Sequence, residues 1–123
     1  MSYRNCDVSV LVGKVLIDIQ DVGDEIRFTL DIGEKYKLHH YQNCCEQVRV
    51  EEVIGDYNDL LHNPLLIAEE RSDGSVPKFL ESSYVSGTWT FYEFATIKGS
   101  ATIRWLGTSN GYYSERVDFT QIA

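Results

Sequence analysis

Apolar and polar residues alternate along much of the first half of the chain, the pattern of strands with one buried face. In VLIDIQ, Val15, Ile17 and Ile19 fall on one side and Leu16, Asp18 and Gln20 on the other. After the turn signal DVGD, EIRFTLD alternates most cleanly: Ile26, Phe28 and Leu30 point one way, Arg27, Thr29 and Asp31 the other. Ile32–Gly33 turns the chain, and KYKLHHY places Tyr36, Leu38 and His40 on one face. QNCCEQ then connects to a further strand, VRVEEV.

GDYNDLLHNP breaks the alternation. Asp56 is an N-cap residue type, Leu60 and Leu61 are spaced to face inward, and Asn63–Pro64 stops the element. The pattern predicts one short helix over about residues 56–62. LLIAEE follows as a short strand, and RSDGSVPKFLESSYVSG is the least regular segment, expected to be a mobile loop. Three strands close the chain as a meander, TWTFYEFAT, SATIRWL and YYSERVDF, separated by the glycine-bearing turns IKGS and TSNG.

The expected fold is therefore mostly β. It is a single antiparallel-sheet domain, residues 1–123, of about seven or eight strands in hairpins and a meander, with that one short helix.

Burial constrains the register of the last hairpin. With Ser109-Asn110-Gly111 as a three-residue loop, Ile103 would lie opposite Val117, Ala101 opposite Phe119, and Trp105 opposite Glu115. The other face would set Arg104 opposite Arg116, Thr102 opposite Asp118 and Leu106 opposite Ser114. With Lys98–Gly99 as the preceding turn, Glu93 would stand beside Arg104 and Phe91 beside Leu106, with Trp89 on the same face. Two adjacent arginines repel. Either Glu93 and Asp118 compensate them in a surface ion-pair ladder, or a bound anion does, with neighbouring rings stacking on a base.

Composition narrows the classes. The 123 residues are 43% hydrophobic and 12% aromatic, a globular composition for one domain. A net charge of −8 argues against non-specific nucleic-acid binding. Three cysteines, an odd number, argue against a secreted disulfide framework and for a reducing cytoplasm. The apolar run from Val8 to Ile19 is broken by Lys14 and Asp18, so no membrane span is expected.

HHYQNCCE, residues 39–46, gathers His39, His40, Cys44, Cys45 and Glu46. A zinc site needs a second ligand pair, and the remaining His62 and Cys6 are isolated, so no metal is expected. There is no Cys-x-x-Cys, and a bond between neighbouring cysteines is strained. The favoured reading packs one cysteine in the core and leaves the other near the surface, with His40 facing inward. The acidic set Glu51, Glu52, Asp56 and Asp59 lacks calcium-loop spacing and reads as solvated surface and a helix cap. No phosphate-binding glycine loop, dinucleotide fingerprint or serine-hydrolase elbow is present.

The succession CCE, VEEVIGDYNDLLHNPLLIAEE and TWTFYEFATIKGSATIRWLGTSNGYYSERVDF, from about Leu11 to Phe119, resembles a small family of phage and prophage proteins of unknown function. The stretch from Arg71 to Ser86 is shorter than that resemblance leads one to expect. The chain also looks like the phage Thoeris anti-defence sponges, which bind a cyclic ADP-ribose-type immune signal without cutting it.

The resemblance implies a non-enzymatic homo-oligomer in the cytoplasm of an infected bacterium, with no cofactor and a nucleotide signal as its partner. Combined with the sheet register, it puts Arg104 and Arg116 on phosphates and Phe91, Trp89 or Tyr112 against the base. Asn110, Ser114 and Asp118 would then bond ribose or base edges, although Asn110 also suits a purely turn-forming role. The alternatives are an acidic protein–protein inhibitor of a host factor and, third, a signal-degrading enzyme using His40, Cys44 or Cys45.

Overall fold

The computed structural model describes residues 4–73 and 86–123. Among them are nine strands: β1 (Arg4–Asn5), β2 (Leu16–Asp21), β3 (Ile26–Leu30), β4 (Lys35–His39), β5 (Gln47–Gly55), β6 (Ile67–Asp73), β7 (Ser86–Thr96), β8 (Gly99–Ser109) and β9 (Asp118–Gln121). They form two antiparallel sheets, ordered β1-β9-β4-β3-β2 and β5-β8-β7-β6. The expectation of a mobile loop after β6 falls mostly on residues 74–85, outside the described residues; Arg71–Asp73 and Ser86–Gly87 are strand.

The two sheets share one core. Phe28 of β3 meets Phe94 of β7 with ring centroids 5.6 Å apart, and Phe119 of β9 lies 6.3 Å from Phe28 and stacks on Tyr36 at 5.1 Å. Ile26, Phe28 and Leu30 are wholly buried, as their alternation requires. Each such side chain contributes about 1.5–3 kcal/mol through removal of apolar surface from water.

Alternation misplaces β2. A register shift between Leu16 and Asp18 makes Ile17 an extra, bulged residue, 43% exposed, and turns Leu16 into the core opposite Leu30. The face holding Val15, Ile17 and Ile19 therefore does not exist as one surface. β5 carries a second bulge, between Val50 and Glu52.

Instead of a helix over 56–62 there is a single 3-10 turn, Tyr57–Leu60. Its cap is as read: Asp56 Oδ1 accepts from the Asn58 amide at 2.9 Å, and Leu60 is buried. His62 adopts φ 67°, and the chain has already left the helical region at Leu61 (φ −88°, ψ 147°). A similar turn, Val8–Leu11, is capped by Asp7.

The terminal meander holds for its first hairpin, β7 with β8, and fails at its third strand. β8 pairs with β5 and β7, and β9 pairs with β4 and β1. Ile103, Val117, Ala101 and Phe119 are all buried in one cluster, but β9 reaches it from the opposite sheet. The chain crosses between the sheets through residues 110–117.

Candidate functional site

Arg104 and Arg116 do not share a face. Arg104 projects from the outer side of β8, where its strand neighbours are Glu52 on β5 and Phe91 on β7. The turn between β7 and β8 is Ile97–Lys98, because Thr96 pairs with Gly99. This sets Glu93 opposite Thr102 and Trp89 opposite Leu106, two residues away from the expected register. The Arg104 guanidinium forms an ion pair with Glu52 and lies 4.7 Å from the Trp89 ring centroid and 5.9 Å from that of Phe91. Trp89 and Phe91 are stacked with centroids 6.4 Å apart, and Arg71 approaches Glu93 at 3.6 Å. Trp89, Phe91 and Arg104 are thus brought together as foreseen, but with the arginine's charge already matched by Glu52.

The other five expected residues lie on or beside the crossing segment. Asn110 Oδ1 accepts from the Tyr112 amide at 3.0 Å, the turn-forming role. Tyr112 is 83% exposed and meets Tyr113 edge-on at 5.0 Å. Ser114 Oγ accepts from the Arg116 amide at 3.2 Å, and the exposed Arg116 guanidinium comes within 4.0 Å of Asp118, the first residue of β9.

Beneath this segment lies a cleft of about 540 Å³. Its origin is readable in β7, whose inward positions run Phe94, Tyr92, Thr90, Thr88, Ser86. Phe94 and Tyr92 fill the core, and where the inward residues become hydroxyls, packing gives way to a polar wall. Glu70 and Ser72 of β6 continue that wall, and Tyr113, Ser114, Glu115 and Arg116 face it from the crossing segment.

Glu115 fixes the segment to the sheet: Thr88 Oγ1 donates to its Oε1 at 2.7 Å and Ser109 Oγ to its Oε2 at 2.5 Å. A Cβ at Gly107 would stand 2.6 Å from the Glu115 carbonyl oxygen, so the segment packs against backbone that only glycine leaves open. On the opposite wall, Tyr92 Oη donates to Glu70 Oε1 at 2.8 Å. Burial, with the Glu70 charge beside it, pushes the Tyr92 phenol far above its ordinary range.

HHYQNCCE supports this arrangement from behind. His40 Nδ1 donates to the Arg116 carbonyl at 2.6 Å, and its Nε2 lies 2.7 Å from Glu46 Oε2. Glu46 also accepts from the amides of Cys44 and Asn43 at 2.9 and 2.8 Å, and these bonds hold its carboxyl down at about 2. His40 faces inward as expected. The cysteines differ from expectation: Cys44 and Cys45 are both exposed and are joined as a disulfide, so neither packs in the core. The loop is tied down by Glu46, which leaves both sulfurs at the surface. No group of three or more His, Cys, Asp or Glu side chains gathers as a metal cage among the described residues. No helix among them is long and apolar enough to cross a membrane.

Glu70, Thr88, Thr90 and Glu115 are among the site residues that the sequence reading did not single out. A signal was present. In TWTFYEF the positions in phase with the buried Tyr92 and Phe94 are threonines, and Glu115 sits in phase with buried Val117.

Residues 9–119 match the family model described as a domain of unknown function, DUF7448. No curated protein and no solved structure matches the chain. The match covers most of the sequence, and the chain belongs to the DUF7448 family.

Proposed function

We propose that this DUF7448 chain is a binding protein that sequesters a nucleotide-type small molecule in the cleft between β6–β7 and the crossing segment, without cutting it. The observation that carries the reading is the cleft itself. Its volume of about 540 Å³ lies within the range typical of small-molecule sites. Hydroxyls and the Glu70 carboxylate line one side, and Tyr113, Glu115 and the exposed Arg116 line the other. An aromatic ring, an arginine and a hydroxyl wall are the complements of base, phosphate and sugar.

The likeness to phage anti-defence sponges supplies the setting: a phage-encoded homo-oligomer that withdraws a cyclic ADP-ribose-type immune signal in the cytoplasm of an infected bacterium. Of the residues foreseen for this role, Arg116 and Ser114 line the cleft, Asp118 neighbours Arg116, and Asn110 and Tyr112 shape the turn that leads into it. Arg104, Trp89 and Phe91 belong to a separate surface, the outer face of β7 and β8.

The test mixes excess protein with a panel of cyclic nucleotides and ADP-ribose-type signals, measures free ligand by mass spectrometry, and repeats the measurement after heat-denaturing the retained fraction. A sponge depletes one compound and returns it intact. Return of an altered compound means an enzyme and sinks the sequestration reading.

The outer face of β5-β8-β7-β6 favours a second reading, an acidic inhibitor of a host protein. Trp89 and Phe91 are half-buried there and framed by the Arg104–Glu52 and Arg71–Glu93 pairs, and tryptophan, phenylalanine and arginine are enriched at protein interfaces. It predicts a salt-sensitive complex in host lysate that Trp89→Ala abolishes.

A further inference from the structure

We infer that the cleft recognises a vicinal diol of a sugar, gripped by the carboxylate of Glu70. For a nucleotide-borne sugar this rests on the sequestration reading; for a free sugar it does not.

The walls place two carboxylates, Glu70 and Glu115, among the hydroxyls of Ser72, Ser86, Thr88 and Thr90. An ionised carboxylate only accepts hydrogen bonds and offers about four lone-pair sites. Glu115 spends both oxygens on Thr88 and Ser109 and is 9% exposed, so it is committed to holding the crossing segment. Glu70 is exposed and is bonded through Oε1 to Tyr92 Oη, which holds the carboxylate in place from below and leaves it acceptor capacity toward the cleft.

A phosphate brought against these walls would meet two like charges in a chain of net charge −8. A neutral donor pair would not. Two adjacent hydroxyls match the two oxygens of a carboxylate, each accepting one hydrogen bond, and the bonds are charge-assisted. The hydroxyls of Ser72, Ser86 and Thr90 donate or accept as a sugar ring requires, and Thr88, whose hydrogen goes to Glu115, accepts. Arg116, with its side chain 79% exposed, is the cation at the mouth, where the phosphate of a nucleotide would remain. The ligand therefore enters sugar first.

The experiment is equilibrium dialysis of the full chain against adenosine, ADP-ribose, 2′-deoxyadenosine and 3′-deoxyadenosine, and in parallel against methyl β-ribofuranoside and its 2-deoxy form, whose closed furanose rings leave a vicinal diol only on the first. It is run on the native protein, on Glu70→Gln and on Glu69→Gln. Glu69 lies on the opposite, outer side of the same strand, opposite Glu93, and controls for the loss of one charge. Thermal melting of each variant checks its fold.

The expected result is binding of the diol-bearing compounds, about tenfold or more weaker binding of their deoxy counterparts, loss of that discrimination in Glu70→Gln, and no change in Glu69→Gln. Equal binding of adenosine and its deoxy forms overturns the diol inference and leaves sequestration standing. Retention of the ribofuranoside but not of its 2-deoxy form, with no nucleotide retained, upholds the diol and removes the nucleotide reading. Retention of nothing in either series removes both.

Discussion

Glu46 Oε2 lies 2.7 Å from His40 Nε2, and the two side chains are 0% and 4% exposed. This buried contact joins the connection after β4 to the crossing segment, because the other ring nitrogen of His40 donates to the Arg116 carbonyl. The crossing segment that walls the cleft is anchored at two points, Glu115 on one side and His40–Glu46 on the other.

The first prediction concerns acid. The amides of Cys44 and Asn43 and the His40 ring favour ionised Glu46 and depress its carboxyl to about 2 in the folded chain. The unfolded chain has an ordinary glutamate at about 4.3. A depressed folded value means that the stability from Glu46 is fully present above the unfolded value and drains away as pH falls from there through about 2. Glu46→Gln should melt well below the native protein at pH 7, and the gap should close on acidification toward pH 2. A gap that stays constant over that range would show that Glu46 acts through shape and not charge.

His39 gives a second pH dependence in a different window. Its ring is buried, with Nε2 2.9 Å from Thr120 Oγ1. That hydroxyl gives its own hydrogen to Asn5 Oδ1 at 2.8 Å, so Nε2 carries the proton toward Thr120. Burial first, then the charge of Lys37, pushes the His39 value below its ordinary 6.5. A lowered folded value again means stability that is present above the unfolded value and lost as pH drops below 6.5 toward the folded one. His39→Gln, which keeps a donor for Thr120, should flatten the decline in melting temperature between pH 7 and pH 5. A decline as steep as the native protein's sinks this assignment.

These contacts also show what the sequence could and could not reveal. β3 was legible because each alternate residue from Ile26 to Leu30 meets the core, and nothing interrupts the pleat. β2 was not, because a bulge at Ile17 exchanges the faces midway and no local residue type marks it. The last strand failed for a different reason. Val117 and Phe119 need a buried face, but a two-sheet core offers one on either side, and periodicity cannot tell them apart. Pairing of Leu38 with Phe119 settles the choice across most of the chain's length. The same ambiguity reaches the site. The aromatic pair Trp89 and Phe91 with Arg104 is legible within one hairpin, whereas Arg116 lies on the crossing segment, away from the sheet that carries Arg104. The cleft depends on that same crossover and so was invisible.

Gly107 tests the anchoring of the crossing segment. A methyl group there would stand 2.6 Å from the Glu115 carbonyl oxygen and 2.8 Å from its Cβ. Neither atom is the tip of a flexible side chain, so the segment itself must shift. Gly107→Ala should cost about 1–3 kcal/mol of stability, as overpacking does, and weaken cleft binding through displacement of Glu115. Denaturant unfolding measures the first effect and ligand depletion the second. Full stability in Gly107→Ala would mean that the segment moves freely, contrary to its anchoring.

The last prediction separates the two surfaces by exchanging the roles of two arginines. Arg104 is half-buried, paired with Glu52 and laid over Trp89, whereas Arg116 holds its guanidinium in solvent near Asp118. Truncating Arg104 removes a partly exposed ion pair and a cation–π contact, a loss of about 0.5–2 kcal/mol. Arg116→Ala touches little in the fold and should stay within about 0.5 kcal/mol of the native stability. Ligand capture should show the reverse order. Arg104→Ala should still deplete the retained nucleotide, and Arg116→Ala should bind it about tenfold or more weakly, since a charge-assisted contact to phosphate is lost. Unfolding and depletion measured on the same two variants decide the matter. If Arg104→Ala abolishes capture and Arg116→Ala does not, the ligand sits on the outer aromatic face and the cleft is not the site.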